Sequence, residues 1–275
     1  MLSQIIGSFW FMGLTTVLVA LIATGGLVLV RKKWGYEGLA EHRDVAAAMM
    51  SVIGTLYAVV LGFVVVDSLN TFAEAKVNVA QEANALHDVF RLAAGLQPAT
   101  QRRIHQLCLD YAVTMVDKEW AAMESGHGAP ESHLIVDQLW KEVVHCDPKN
   151  SSEENIQGAL LSTLQRLNDA RHTRMVSANP NVNSTVWSTM LFGGLIIISF
   201  TYFFGLRSFK AQALMTSLVT VVLGLNLSLI ESFSTPFSGD VNVSPQPFQM
   251  NIDNFTREKT EAEQAVSPQS AVNSR

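Results

Sequence analysis

Four stretches of this chain, residues 8–30, 45–66, 185–206 and 211–230, hold no charged side chain. A hydrocarbon layer of about 30 Å takes about 20 helical residues at 1.5 Å each, and every stretch is long enough. A backbone inside lipid must satisfy its own hydrogen bonds, and a helix does so within one segment. The sequence therefore predicts an all-α fold: a polytopic membrane protein with four transmembrane helices and a long-helix bundle inserted between the second and third. The expected domains are a first hairpin over 1–68, with spans at 8–30 and 45–67, and an extramembrane helical domain over 69–184. A second hairpin over 185–232, with spans at 185–206 and 211–231, and a final segment over 233–275 complete the chain.

Composition separates two unlike parts. The positive mean hydropathy comes from the spans, whereas the insert has the charge density of a soluble helical domain. Lys and Arg are scattered and the net charge is −5, so no basic stripe supports nucleic-acid binding. Two cysteines, Cys108 and Cys146, are too few for a disulfide framework; free thiols are expected, with one bridge as the alternative. The first span is followed, not preceded, by basic residues (Arg31, Lys32, Lys33), the reverse of a cleavable leader, and reads as a permanent anchor.

Orientation follows from basic residues in short flanks. The hairpin loops hold six, namely Arg31, Lys32, Lys33, Arg43, Arg207 and Lys210. Both loops are thus expected in the cytoplasm, with the termini and the insert outside.

After residue 66 the text stays helix-compatible to about Ala94, with apolar residues at helical spacing, so the second span should continue into the insert as one long helix. Gly95 and Pro98 end it. A further helix is expected from Pro98 to about Glu124, then a loop over 125–130 and a short helix from Glu131 to His145. Ser151 and Glu154 form a candidate capping box for a last insert helix reaching Ala178. Ser184 is the expected cap of the third span. From about Asn254 the text is polar and lacks periodicity, which predicts a disordered tail.

Candidate functional residues are few. His105, Cys108, His145 and Cys146 offer zinc-type ligands, but no Cys-x-x-Cys pair supports a metal and none is expected. No phosphate loop or nucleophile elbow is present, so neither an enzyme nor a cofactor is expected. Gly193-Gly194 reads as a close helix contact. Asp67 and Glu231 sit at corresponding ends of the second and fourth spans, where acids are costly unless partnered or wetted. They suggest an ion-contact or gating pair, or else interfacial anchors. Thr55, Val59 and Phe63 recur every fourth residue. That row is either ordinary packing or lipid contact, or, in a symmetric oligomer, the lining of a narrow apolar constriction.

The text Glu82-Ala83-Asn84-Ala85-Leu86, the run from Arg102 to Trp120 with its Tyr111-Ala112 and Glu119-Trp120, and Pro236-Phe237-Ser238-Gly239 after the fourth span carry a resemblance. The chain resembles an uncharacterised bacterial family described as having a bestrophin-like domain. More distantly, Val60-Leu61-Gly62-Phe63 and Pro236-Phe237 followed by Gly239 and Asp240 resemble segments of the bestrophins, which are pentameric anion channels. The resemblance implies a homo-oligomer, pentameric if truly bestrophin-like, that passes an anion through a pore lined by the second helix, with Phe63 at its neck. It also implies a cytosolic insert, against the basic-residue count. Leu56 stands where the neck typically begins with proline, and Asp240 stands without an acidic run. The alternative function is a non-conducting membrane protein whose helical domain senses or binds an envelope partner.

Overall fold

The computed structural model describes residues 9–40, 43–124, 130–178, 183–239 and 241–272. The expected loop at 125–129 lies outside the described residues. Among those described, helix is the only regular structure. In chain order the helices are α1 (Phe9–Ala40), α2 (Arg43–Ala93), α3 (Pro98–Thr114), a π turn (Met115–Glu119), α4 (Trp120–Glu124), α5 (Pro130–Val144), α6 (Ser151–Ser177), α7 (Ser184–Tyr202), α8 (Phe209–Ser234) and α9 (Gln246–Val272). Four of them, α1, α2, α7 and α8, contain segments long and apolar enough to cross a membrane. α1 is interrupted at Gly35, whose φ of 71° only glycine adopts without strain.

The chain divides into two compact units. One comprises residues 1–72 and 180–242, and the other residues 73–179 and 243–275. The expected long helix is present: α2 runs unbroken for 51 residues and contributes to both. The second unit is not the insert alone. Where the sequence led us to expect a disordered tail from about Asn254, α9 is helical to Val272. Its anchors are Phe248, Asn251 and Phe255, spaced three and four apart on one buried face. Asn251 donates to the Ala83 carbonyl at 2.7 Å. Phe255 stacks on Phe90 with centroids 4.1 Å apart. Three anchors in an otherwise polar stretch are too sparse to register as periodicity.

Two caps fall one residue earlier than expected. Asn150, not Ser151, accepts from the Glu153 amide and starts α6. Glu153 in turn accepts from the Lys149 amide. Asn183, not Ser184, caps α7 by accepting from the Thr185 amide. Asparagine and serine are near-equal caps, so adjacent candidates are poorly separated by sequence.

Within the first unit the apolar helices meet closely. Tyr57, Leu61, Met190, Ile197 and Ile230 form a buried cluster from α2, α7 and α8. The Tyr57 hydroxyl donates to the Met190 carbonyl at 2.8 Å. A Cβ at Gly193 would overlap the Tyr57 ring. Gly193 is therefore the contact glycine that its position in the span suggested. Tyr202 similarly lies against Gly26 while donating to the Ala23 carbonyl at 2.8 Å.

Candidate functional site

The second span presents two faces. Tyr57, Leu61 and Ser68 are buried, and Val64 and Val65 pack beside them. Thr55, Val59 and Phe63 point the other way, because a step of two residues turns a helix by about 200°. Phe63 is 73% exposed and Val59 53% in the single chain. The Thr55 hydroxyl is satisfied within its helix by the Ser51 carbonyl, at 2.7 Å. The row is thus free of intrachain packing and unencumbered by an unpaired polar group.

Asp67 and Glu231 are both exposed. Among the described residues no ion pair or hydrogen bond engages either carboxylate. Nearby, Phe72 and Phe233 meet edge to face at 5.2 Å, so α2 and α8 are neighbours at this end. After α8, Pro236 and Phe237 are buried, and Gly239 turns the chain at a φ of 83° that disfavours any residue with a Cβ. Asn242 donates to the Gly239 carbonyl at 3.0 Å. Asp240 lies outside the described residues.

The second unit holds a site that sequence reasoning missed. Arg174, fully buried, donates to Glu82 (Nε to Oε2, 2.6 Å; Nη2 to Oε1, 3.3 Å) and to Glu119 (Nη2 to Oε1, 3.3 Å). The Tyr111 hydroxyl donates to Glu82 Oε1 at 2.5 Å. Ser132 donates to Glu119 Oε2 at 2.8 Å and accepts from Arg171 at 3.1 Å. Trp120 places its ring 6.0 Å from the Arg174 guanidinium carbon. The π turn brings both Met115 and Glu119 inside. Burial raises the Tyr111 pKa well above its ordinary range, and Glu82 adds to the rise. For Arg174, burial alone would lower the pKa, but Glu82, Tyr111 and Glu119 outweigh it and hold the guanidinium charged.

One cation between two carboxylates, each hydrogen-bonded again, is a scaffold rather than an acid–base pair. A buried ion survives only when fully partnered. A signal for it was present. Val79, Glu82 and Leu86 share the buried row of α2, and Leu160, Leu164, Leu167, Ala170 and Arg174 that of α6, with three- and four-residue steps. Charged residues at core positions of two helices imply each other. The fragments Glu82–Leu86, Tyr111-Ala112 and Glu119-Trp120, read separately in the sequence, converge on this one cluster.

The zinc-type candidates do not assemble: no group of three metal-ligating side chains occurs among the described residues. Cys108 and Cys146 are both free. Burial pushes the Cys108 thiol far up, which keeps it neutral and inert. His105 shares its Nε2 with the Phe90 carbonyl at 2.9 Å and stacks on the Phe90 ring.

Comparison with known proteins fits this architecture. The fold matches a point mutant of a bacterial bestrophin homologue from Klebsiella pneumoniae with a TM-score of 0.65. Identity is 17%, over 91% of this chain and 98% of that one. A second structure of the Klebsiella homologue gives 0.63 at 17% identity, over 90% and 97% of the two chains. A structure described only as a membrane protein gives 0.62 at 17%, over 89% and 96%. Among curated proteins none matches. The Bestrophin-like domain matches residues 17–248, which takes in the apolar helices and the buried Arg174 cluster alike; the chain is an integral membrane protein that belongs to the bestrophin-like family.

Proposed function

We propose that the chain assembles into an oligomeric, anion-permeable channel of bestrophin type, a pentamer if truly bestrophin-like. α2 lines its pore through Thr55, Val59 and Phe63. The observation that carries this reading is the division of α2 into a packed face and an unpacked one. Tyr57 and Leu61 hold the helix within its own subunit, and the row opposite remains for a shared axis. An apolar ring there forms a constriction that gates by dewetting, and the positive edge of the Phe63 ring favours an anion. Asp67, one turn beyond Phe63 on α2, and Glu231 on the neighbouring end of α8 contact ions or gate entry. Pro236, Phe237 and Gly239 form the turn that follows α8.

The test is anion flux in liposomes. Phe63→Ala widens the constriction, so flux should rise with the oligomer intact. Leu61→Ala is the matched control: it opens a cavity on the packed face, costs about 2–5 kcal/mol, and leaves flux unchanged. Equal flux from wild type and both variants, in intact oligomers, favours the non-conducting alternative with an envelope partner.

We further propose that both hairpin loops are cytoplasmic and the helical domain extracytoplasmic, in a bacterial inner membrane. The support is the clustering of basic residues in the two loops. In addition, Arg31 of the first loop reaches the Arg207 carbonyl of the second at 2.9 Å, so both lie at one end of the spans. In a Cys146→Ser background, an impermeant thiol reagent should label Lys141→Cys in intact cells. Lys33→Cys should react only after permeabilisation. The opposite pattern puts the domain in the cytosol.

A further inference from the structure

Where the two hairpin loops meet, Arg31 donates through Nη1 to Gln212 (3.2 Å) as well as to the Arg207 carbonyl, and its guanidinium lies 5.7 Å from the Phe209 ring centre. Gln212 donates onward to the Tyr202 carbonyl at 3.0 Å. Gln212 of this clamp also lines an open groove of about 410 Å³ whose walls include Met50, Phe204, Leu206, Met215 and Leu218. Leu218 and Met215 are more than half exposed. Arg207 directly follows the groove residue Leu206, and Lys210 lies two residues before the groove residue Gln212. Lys32, Lys33, Arg207 and Lys210 are exposed, and among the described residues no carboxylate pairs with them. Acids do not balance the charge: the two loops carry six Lys and Arg against Glu37, Glu41 and Asp44.

We propose that this groove and the cations next to it in sequence form a binding site for an anionic phospholipid. One acyl chain lies along Leu206, Met215 and Leu218, and the phosphate is held by Arg207 and Lys210. The two halves of the ligand answer two observations that no other partner answers together. A free anion gains nothing from an apolar groove between membrane-spanning helices, and a zwitterionic lipid brings its own cation against the cluster. The clamp gives the site its rigidity, because Arg31 and Gln212 fix the two loops to each other whether or not lipid is bound. The site concerns membrane residence rather than conduction, so its test uses no flux measurement.

The full-length protein in neutral detergent is titrated with phosphatidylglycerol, with phosphatidylcholine of the same chains, and with inorganic phosphate. Native mass spectrometry and the thermal midpoint report binding. Phosphatidylglycerol should bind at least about tenfold tighter, as expected for two surface cations. Arg207→Gln and Lys210→Gln should each weaken it about fivefold while leaving phosphatidylcholine unchanged. Lys210→Arg should retain it. Leu218→Trp, which fills the groove, should weaken both lipids. Inorganic phosphate should neither raise the midpoint nor compete. Equal affinity for the two lipids, indifference to the charge variants, indifference to Leu218→Trp, or full competition by phosphate each overturns the proposal. Misfolding is separable: both cationic side chains are exposed, the Arg207 carbonyl used by Arg31 survives the substitution, and the lipid-free midpoint should equal that of wild type.

Discussion

Between Tyr57 and Gly193 two helices touch through an aromatic ring and a missing side chain; between Arg174 and Glu82 two others touch through a buried ion pair. The first contact belongs to the apolar unit and the second to the polar one. Lipid tails are as apolar as leucine, so spanning helices gain little by burying leucine against leucine. They gain by approaching closely and by capping a few polar atoms, as Tyr57, Tyr202 and the Thr201–Thr216 hydroxyl pair (3.1 Å) do. In water, a helical bundle already has a hydrophobic drive. Ionic groups at its centre add no comparable stability, but they penalise every arrangement that leaves one unpartnered. The apolar unit is thus specified by shape and the polar unit by charge.

The largest expected effect tests the charge half of that contrast. Arg174→Met removes the cation that Glu82 and Glu119 share and leaves both carboxylates buried without it. The cost should be about 3–5 kcal/mol. Hydrogen exchange should show faster opening in residues 73–179 while amides of the apolar unit keep their protection. A triple change that also makes Glu82→Leu and Glu119→Leu should recover most of the loss. Full stability of Arg174→Met alone would break the comparison.

Shape gets the second test. Gly193→Ala forces a methyl group into the Tyr57 ring. The ring cannot swing aside without losing its bond to the Met190 carbonyl. Overpacking of this kind costs about 1–3 kcal/mol. Tyr57→Phe in the same chain frees the ring and should return part of the loss. The thermal midpoint in detergent or nanodiscs measures both. A Gly193→Ala variant as stable as wild type would mean that close approach is not what joins α2 to α7.

The same contrast explains what could be read from the chain. Apolar runs announce spanning helices directly, because lipid accepts almost nothing else. The continuity of α2 was legible because no breaker intervenes before Gly95. Glu82, Glu119 and Arg174 were overlooked as a group, since charge in a polar segment is ordinary and only its position on a buried row marks it. Sequence spacing places Glu82 and Arg174 on core rows but does not say which rows face each other. α9 was missed for a related reason: Phe248 and Phe255 pack on Phe90, Tyr111 and Trp120, and Asn251 bonds the Ala83 carbonyl, all far away in sequence. For the proposed pore face, the spacing of Thr55, Val59 and Phe63 gave a row, and the structure adds that its opposite side is occupied. Asp67 and Glu231 remain as the sequence left them, two exposed acids on neighbouring helices.

The smallest effect separates the units by pH rather than by substitution cost. His105 lies in the polar unit, stacked on Phe90 and bonded to its carbonyl. Burial lowers its pKa; the Phe90 carbonyl and the Glu258 carboxylate oppose that shift without cancelling it. The folded state therefore prefers the neutral ring, and the unfolded chain binds the proton more readily. Stability from this group is complete above the ordinary histidine pKa of about 6.5. It is lost as pH falls through that value toward the lower folded one. The thermal midpoint of the polar unit should thus decline slightly from pH 7.5 to 5.5, and His105→Gln should flatten part of that slope. Every other side chain is common to both proteins, so the difference between the two slopes isolates His105. A midpoint that rises on acidification in wild type, relative to His105→Gln, would mean that Glu258 governs the ring and that the neutral form is not the one the fold selects.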